Sequence, residues 1–370
     1  MKSTAAVLTG KTDRWDIVEL DLDAPRDGEV LVRFVAAGLC HSDEHARRGE
    51  FVPRLPMIGG HEGAGVIEAV GPGVDDLVVG DHVVCSFIPA CGKCRYCSTG
   101  RQNLCDLGRF ALDGCQVDGT FRAHAGGEDF GLMCLVGSFS QYGVLSQHSV
   151  VKIPDHIPLE TAVLVGCGVP TGWGAAVRTG GVKPGDTVAI YGIGGIGINA
   201  VQGARAAGAR FVVAVDPVES KRAAALKLGA THAVADAAAA QELVTEISWG
   251  AGADVSIVTT GVVDAETTAA AFNVLGKSGV EVVVGLSSMD SLNVQVPGFF
   301  LINWERQIRG SLFGSSNPRH DIPALLNLYE DGSLHLDELI TSRYRLEDIN
   351  QGYADLEAGQ NIRGIVVHEH

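Results

Sequence analysis

Residues 187–203 read TVAIYGIGGIGINAVQG, and this stretch constrains the surrounding fold more than any other in the chain. Five uncharged residues, Thr187–Tyr191, have the character of a buried parallel strand. Glycines follow at Gly192, Gly194, Gly195 and Gly197, and a helical stretch, Ile196–Ala207, opens among them. In such a strand–turn–helix unit the first glycine of G-x-G-x-x-G makes the tight turn. The second lets backbone approach a pyrophosphate, and the third lets helix pack closely on strand. In a chain with 48 glycines the motif alone is weak; its context makes it strong. Asp216 ends the next apolar run, Phe211–Val215, 19 residues beyond Gly197. A carboxylate there accepts hydrogen bonds from the adenosine ribose and repels a 2′-phosphate, so NAD is expected in preference to NADP. Lys221 could reach the same ribose or be a solvated helix lysine.

Further apolar runs, Val255–Thr259, Glu281–Val284 and Gln307–Leu312, together with a helical stretch at Glu219–Leu228, extend the unit into a βαβ series. That series predicts a doubly wound Rossmann sheet. Before about residue 165 the character differs. Val30–Ala36, Gly63–Val70, Asp81–Phe87 and Tyr142–Ile153 are short β-like runs between Gly/Pro turns, the pattern of an irregular antiparallel fold. After Gly314 come one amphipathic helix, Ile322–Glu330, and a strand-like tail, Gly364–His368, read as returning to the first domain. The expectation is an α/β chain with a discontinuous β-rich domain, 1–168 and 312–370, and a dinucleotide-binding domain, 169–311. A length of 370 residues leaves room for both cores.

Cys91, Cys94, Cys97 and Cys105 stand in CGKCRYCSTGRQNLC, a C-x2-C-x2-C-x7-C spacing. Four thiolates so close in sequence can converge on a tetrahedral zinc and close a loop with little apolar material of its own. An iron–sulfur cluster needs the same ligands, but the ferredoxin run ends in C-x3-C-P, which is missing here. Scattered core cysteines are the remaining alternative. A closed four-thiolate site does no chemistry, so the reaction must be sought elsewhere. The opening MKSTAAVLTG has no apolar run of signal-peptide length, and nine cysteines then favour a reducing cytoplasm. No stretch approaches a membrane span, and a formal charge of −16 argues against nucleic acid or an anionic membrane as partner.

Three dispersed segments carry other metal-ligand types: Cys40 in GLCHSDEH, His61–Glu62 in GGHEGAG, and Cys167 in VGCGVPTGWG. Spacing does not join them, and a lone Cys or His is more often a packed residue than a ligand. With the four-cysteine loop and GIGGIG, however, these segments make the chain resemble the zinc-dependent medium-chain alcohol dehydrogenases over essentially its whole length. The resemblance implies a GroES-like catalytic domain in which Cys40, His61 and Cys167 bind a catalytic zinc, the Cys2His set known from alcohol dehydrogenases. The fourth position is open to substrate or water. Glu62 matches a carboxylate that can approach the metal, or is otherwise a partly buried, paired acid. Asp43 matches the acid that orients the ligating histidine. Ser42 matches the group that takes the alcohol's proton, and His45 the group that passes it on through the nicotinamide ribose. Their bland alternatives are an N-cap serine and a surface imidazole. Phe87 matches a wall of the alcohol pocket. Arg363 matches a basic contact to the cofactor pyrophosphate, and His41 stands where another such contact is an arginine in the family.

Within that family the stretches SFIPACGKC, GRQNLCDLG, DPVESKR and LFGSSNPRHDIP are similar to a bacterial nicotinoprotein branch. Its NAD(H) stays bound between turnovers and is reoxidised by a nitrosoaniline dye or an external redox acceptor. The rivals are a thiol-dependent formaldehyde dehydrogenase and an alcohol dehydrogenase with freely dissociating NAD. Arg109 falls where the formaldehyde enzymes bind the carboxylate of a thiol adduct; its alternative is a surface arginine. A non-catalytic NAD-binding scaffold would be marked by loss of a zinc ligand or of Ser42, and none is lost. The expectation is oxidation of primary or secondary alcohols to aldehydes or ketones, with two zincs per chain, in a homo-oligomer (dimer or tetramer).

Overall fold

In the run EVLVRFVAAG the side chains of Val30, Val32, Phe34 and Ala36 are fully buried, while Leu31, Arg33 and Val35 are half-buried. This period of two makes the segment a strand with one face on a core. The computed structural model describes residues 1–10, 14–50, 53–286 and 292–370. Its first ten strands are β1 (Lys2–Leu8), β2 (Asp16–Leu22), β3 (Glu29–Gly38), β4 (Met57–Ile58), β5 (Gly63–Val70), β6 (His82–Cys85), β7 (Ala123–Ala125), β8 (Glu128–Leu132), β9 (Tyr142–Ser146) and β10 (Val150–Lys152). Two short helices, α1 (His41–Arg47) and α2 (Leu159–Ala162), interrupt them. Strands β1-β2-β7-β8-β4 close a barrel, antiparallel except where β4 meets β8.

The expected single run Tyr142–Ile153 is two strands. A 3-10 turn at Gln147–Ser149 separates them, and they pair with different neighbours, β9 with β3 and β10 with β6. Ser146 Oγ accepts from the His148 N–H at 3.3 Å and starts that turn.

From α3 (Gly168–Gly174) the pattern changes to β11 (Thr187–Tyr191), α4 (Gly197–Ala206), β12 (Phe211–Val215), α5 (Glu219–Lys227), β13 (His232–Val234), α6 (Ala237–Ile247), β14 (Ala253–Val258), α7 (Ala265–Asn273), β15 (Leu275–Val283), α8 (Gly298–Asn303) and β16 (Gln307–Gly310). These six strands form one parallel sheet in the order β13-β12-β11-β14-β15-β16. All five residues of β11 are buried, as expected for a strand covered on both faces. Asp236 and Asp264 cap α6 and α7, accepting from Ala239 N–H at 2.9 Å and Thr267 N–H at 2.7 Å. Strand β15 starts at Leu275, well before the expected Glu281, because Gly276, Lys277 and Ser278 break the apolar run and the register shifts between Ala253 and Val255.

The chain ends with α9 (Pro318–Glu330), β17 (Ile340–Tyr344), α10 (Ile349–Glu357) and β18 (Arg363–Val367). Strand β18 pairs antiparallel with β3 and parallel with β17, giving the sheet order β10-β6-β5-β3-β18-β17. Trp15 stacks on Tyr353 of α10 at 5.8 Å and meets Phe139 edge-on at 5.5 Å, which ties the returning segment to the first core. The chain divides into two compact units, Met1–Cys167 with Asn317–His370, and Gly168–Ser316; the second junction lies at 316/317, against 311/312 in the sequence reading. Among the described residues no helix is long and apolar enough to cross a membrane.

Candidate functional site

After β6 the chain forms a loop whose sulfurs face each other. The Sγ atoms of Cys91, Cys94, Cys97 and Cys105 all lie within 4.8 Å of one another. Cys91 and Cys97 are 3.9 Å apart, as are Cys94 and Cys105. Four sulfurs at about 2.3 Å from one zinc would sit about 3.8 Å apart, whereas a disulfide would need about 2.05 Å. All nine cysteines are free thiols. The Cys91 and Cys97 N–H groups point at Cys105 Sγ and Cys94 Sγ at 3.5 and 3.4 Å, ready to support thiolates. Burial works against ionisation of Cys94, yet the backbone N–H groups of Asp106 and Cys97 bring its thiol down to about 6. Burial pushes Cys97 and Cys105 up. Among the described residues only Ile88, Phe87 and Leu107 supply further apolar packing, so the loop fits a metal as its core.

A second cluster is assembled from three places in the first unit. Strand β3 delivers Cys40 to the start of α1, His61 and Glu62 immediately precede β5, and Cys167 follows the turn after α2. Ligand atoms of Cys40, His61, Glu62 and Cys167 lie within 4.8 Å of one another, and all four residues are buried. Asp43, also buried, brings Oδ2 to 2.9 Å from His61 Nδ1, off the line of a well-formed hydrogen bond, while its Oδ1 accepts from the Gly60 N–H at 2.9 Å. Contact with Cys167, opposed by burial and aided by His61, holds the Cys40 thiol well below its ordinary range. The same contact, with burial, pushes Cys167 well above. Burial disfavours a charged His61, but Asp43 and Cys40 overcome it and raise the imidazole. A buried pair of thiols that readily gives up one proton but not both is the donor set a divalent cation completes.

Glu62 lies under this cluster and pairs through Oε2 with Arg363 Nη2, both residues buried; its Oε1 has no partner among the described residues. A Cβ on Gly38 would lie 2.0 Å from Glu62 Oε2, so only glycine at the end of β3 leaves room for the pair. Burial raises the Glu62 carboxyl despite Arg363, and Glu62 more than offsets burial to raise Arg363.

The remaining first-unit candidates divide. Ser42 Oγ lies 3.7 Å from Cys40 Sγ, and the Phe87 ring meets the His61 ring edge-on at 5.7 Å. His45 is buried, not a surface imidazole, and its Nδ1 is in close contact with Glu50 Oε2. Sequence reasoning missed Glu50, because a spacing of five residues belongs to no helix-face pattern. His41 is exposed on α1. Arg109 is exposed, with its guanidinium over the Phe110 ring at 4.5 Å, and is not gathered into the cluster.

In the second unit the glycine turn joins β11 to α4. Gly192 has φ +87°, and a Cβ on Gly197 would lie 2.0 Å from the Gly192 carbonyl, so both positions require glycine. A Cβ on Gly194 would meet nothing within 4 Å, which leaves its backbone open to an approaching phosphate. Gly195 O accepts from Asn199 Nδ2 at 2.8 Å. Asp216 is buried behind the turn: Oδ2 accepts from the Ile193 N–H at 2.7 Å and Oδ1 from the Val218 N–H at 2.8 Å. Lys221 is half-exposed on α5, and its neighbour Arg222 donates to the Asp216 and Pro217 carbonyls at 2.7 and 2.8 Å.

A dinucleotide turn and two donor clusters that could each hold a metal ion, in one chain, point to a metal-dependent dehydrogenase. The model of the alcohol dehydrogenase GroES-like domain matches residues 26–155, and that of the zinc-binding dehydrogenases residues 195–331. The chain is 57% identical to the NDMA-dependent alcohol dehydrogenase of Amycolatopsis methanolica, over 100% of this chain and 99% of that one. It is 46% identical to alcohol dehydrogenase B of Mycobacterium tuberculosis, over 99% and 98% of the two chains. Benzyl alcohol dehydrogenase of Acinetobacter calcoaceticus superposes with a TM-score of 0.92 at 32% identity, covering both chains fully. An alcohol dehydrogenase zinc-binding domain protein of Burkholderia ambifaria does so with 0.93 at 36%, again over both whole chains. The chain belongs to the zinc-binding alcohol dehydrogenase family.

Proposed function

We propose that the protein oxidises alcohols to aldehydes or ketones, with Met1–Cys167 and Asn317–His370 as its catalytic unit and Gly168–Ser316 holding NAD(H). The observation that carries this reading is the buried Cys40–His61–Cys167 cluster with Asp43 against the imidazole. Zinc held by these three residues supplies the Lewis acidity that makes an alcohol hydroxyl acidic near neutrality. Asp43 fixes the orientation of His61 and stabilises its electron donation. Ser42 receives the hydroxyl proton and His45 carries it towards solvent, with Glu50 holding the imidazole in place. Phe87 walls the substrate side of His61. The Gly192–Gly197 turn would hold NAD, with Asp216 towards its adenosine ribose, and the nicotinamide would supply the hydride acceptor. Glu62 and Arg363 neutralise each other beneath the ligands, so the guanidinium serves the metal cluster as well as any cofactor phosphate.

The likeness to the NDMA-dependent enzyme supports the nicotinoprotein form, in which NAD(H) stays bound and an external acceptor reoxidises it. The exposure and Phe110 stacking of Arg109 favour this over the thiol-dependent formaldehyde reading. Self-association is supported by edge strand β16 beside α8, where Phe299 and Ile302 are 65% and 73% exposed. The test is gel filtration of the purified protein followed by addition of a simple alcohol. The expected result is about one NAD(H) per chain retained, one turnover without acceptor, and continuous turnover with a nitrosoaniline dye. Steady NADH production from free NAD would contradict cofactor retention and leave the zinc chemistry standing.

A further inference from the structure

Inside the unit Gly168–Ser316, three side chains have polar atoms with no partner among the described residues. Glu281 on β15 is 0% exposed with both carboxyl oxygens unbonded; Ser256 Oγ on β14 and the Tyr191 hydroxyl on β11 are buried in the same condition. The parallel register brings them together. Ser256 stands opposite both Ala189 and Glu281, and Tyr191 lies two residues beyond Ala189 on the same face. That face packs under α6 and α7, since Ala189 and Tyr191 share a core with Ala240, Val244, Ala271 and Phe272.

Among the described residues no counter-charge meets Glu281 there. Glu242 and Glu246 of α6 and Glu266 of α7 are exposed. Asp254 and Lys277 are exposed towards the starts of their strands, and Asp254 accepts from the Thr187 N–H at 2.8 Å. Arg309 of β16 is exposed and donates to Thr179 O at 2.7 Å. Arg306 is buried, but its guanidinium donates to the carbonyls of Phe272 at 2.8 Å, Gly276 at 3.3 Å, Asn273 at 3.5 Å and Leu275. An ionised carboxylate without a partner in this layer would be strongly disfavoured.

We propose that Glu281, with Ser256 and Tyr191, is a proton-binding site of the folded cofactor unit, its carboxyl held neutral between the sheet and α6–α7. Burial pushes this carboxyl up from 4.5 to about 7, and burial together with Glu281 keeps the Tyr191 phenol raised and neutral. The folded chain therefore binds one more proton than the unfolded chain between those values. Stability falls as pH rises through that window and levels off above it. The site lies just beneath the cofactor turn: Thr259 Oγ1 donates to the carbonyls of Tyr191 at 3.1 Å and Gly192 at 2.6 Å.

The test is the thermal midpoint of NAD-loaded protein from pH 5 to pH 8, for wild type and Glu281→Gln. The two should lie close together at pH 5 and diverge towards pH 8. There wild type should have lost about 70-fold in its folding equilibrium relative to the variant, measured from pH 5. Glu281→Met, of similar volume and without a titratable group, should lose the same pH dependence even if Gln packs poorly. Parallel pH profiles for wild type and either variant would overturn the proposal.

Discussion

At the residue scale the Cys40–His61–Cys167 cluster sits on buried charges that compensate each other. Arg363 and Glu62 are 301 positions apart, and each is the other's counter-charge in a buried pair. Arg363→Leu should therefore destabilise the catalytic unit by about 3–5 kcal/mol, because it leaves a buried carboxylate alone. Adding Glu62→Gln should recover most of that loss in urea unfolding; an unchanged deficit would mean the arginine acts elsewhere. A paired acid was one reading of Glu62, but its partner was not legible in sequence, where Arg363 read as a contact to the cofactor phosphate. Cys40, His61 and Cys167 were individually ambiguous as well. Only the order of their surrounding segments, by likeness to a known family, joined them into one set. Glu50 carried no signal, since its contact with His45 forms where α1 has already ended.

Legibility at the scale of elements followed burial. Strands covered on both faces, such as β11 and β12, are continuous apolar runs and could be read almost to the residue. Strand β13 is short and half-buried at a sheet edge, so it lacks any such run. The split between β9 and β10 came from a local Ser146 hydrogen bond that apolar patterning does not register. The cysteine loop was the most legible element, because four thiolates so close in sequence can converge without help from the rest of the chain. With so little apolar packing it should depend on metal for its shape. Cys97→Ser is expected to lower bound zinc from two to one per chain, together with the thermal midpoint. Metal analysis and calorimetry check this; two zincs and an unchanged midpoint would contradict the loop's assignment.

For the whole molecule, the return of the last 54 residues, Asn317–His370, to the first unit decides how the surroundings of the Cys40–His61–Cys167 cluster are built. Strand β18 brings Arg363 to Glu62, and α10 supplies Tyr353 to the core around Trp15. The return itself was foreseen from the end of β–α alternation after Gly314, whereas the partners it delivers follow only from the β18–β3 register. The central claim is that buried Cys40, His61 and Cys167 make an alcohol reactive towards NAD held by the same chain. The most direct measurement adds a primary alcohol to NAD-loaded protein, wild type and His61→Ala, and follows the absorbance of reduced nicotinamide in a single turnover. Wild type should form about one NADH per chain. His61→Ala should form none, while keeping its fold and the zinc of the cysteine loop. Reduction in the variant at the wild-type rate would contradict the account.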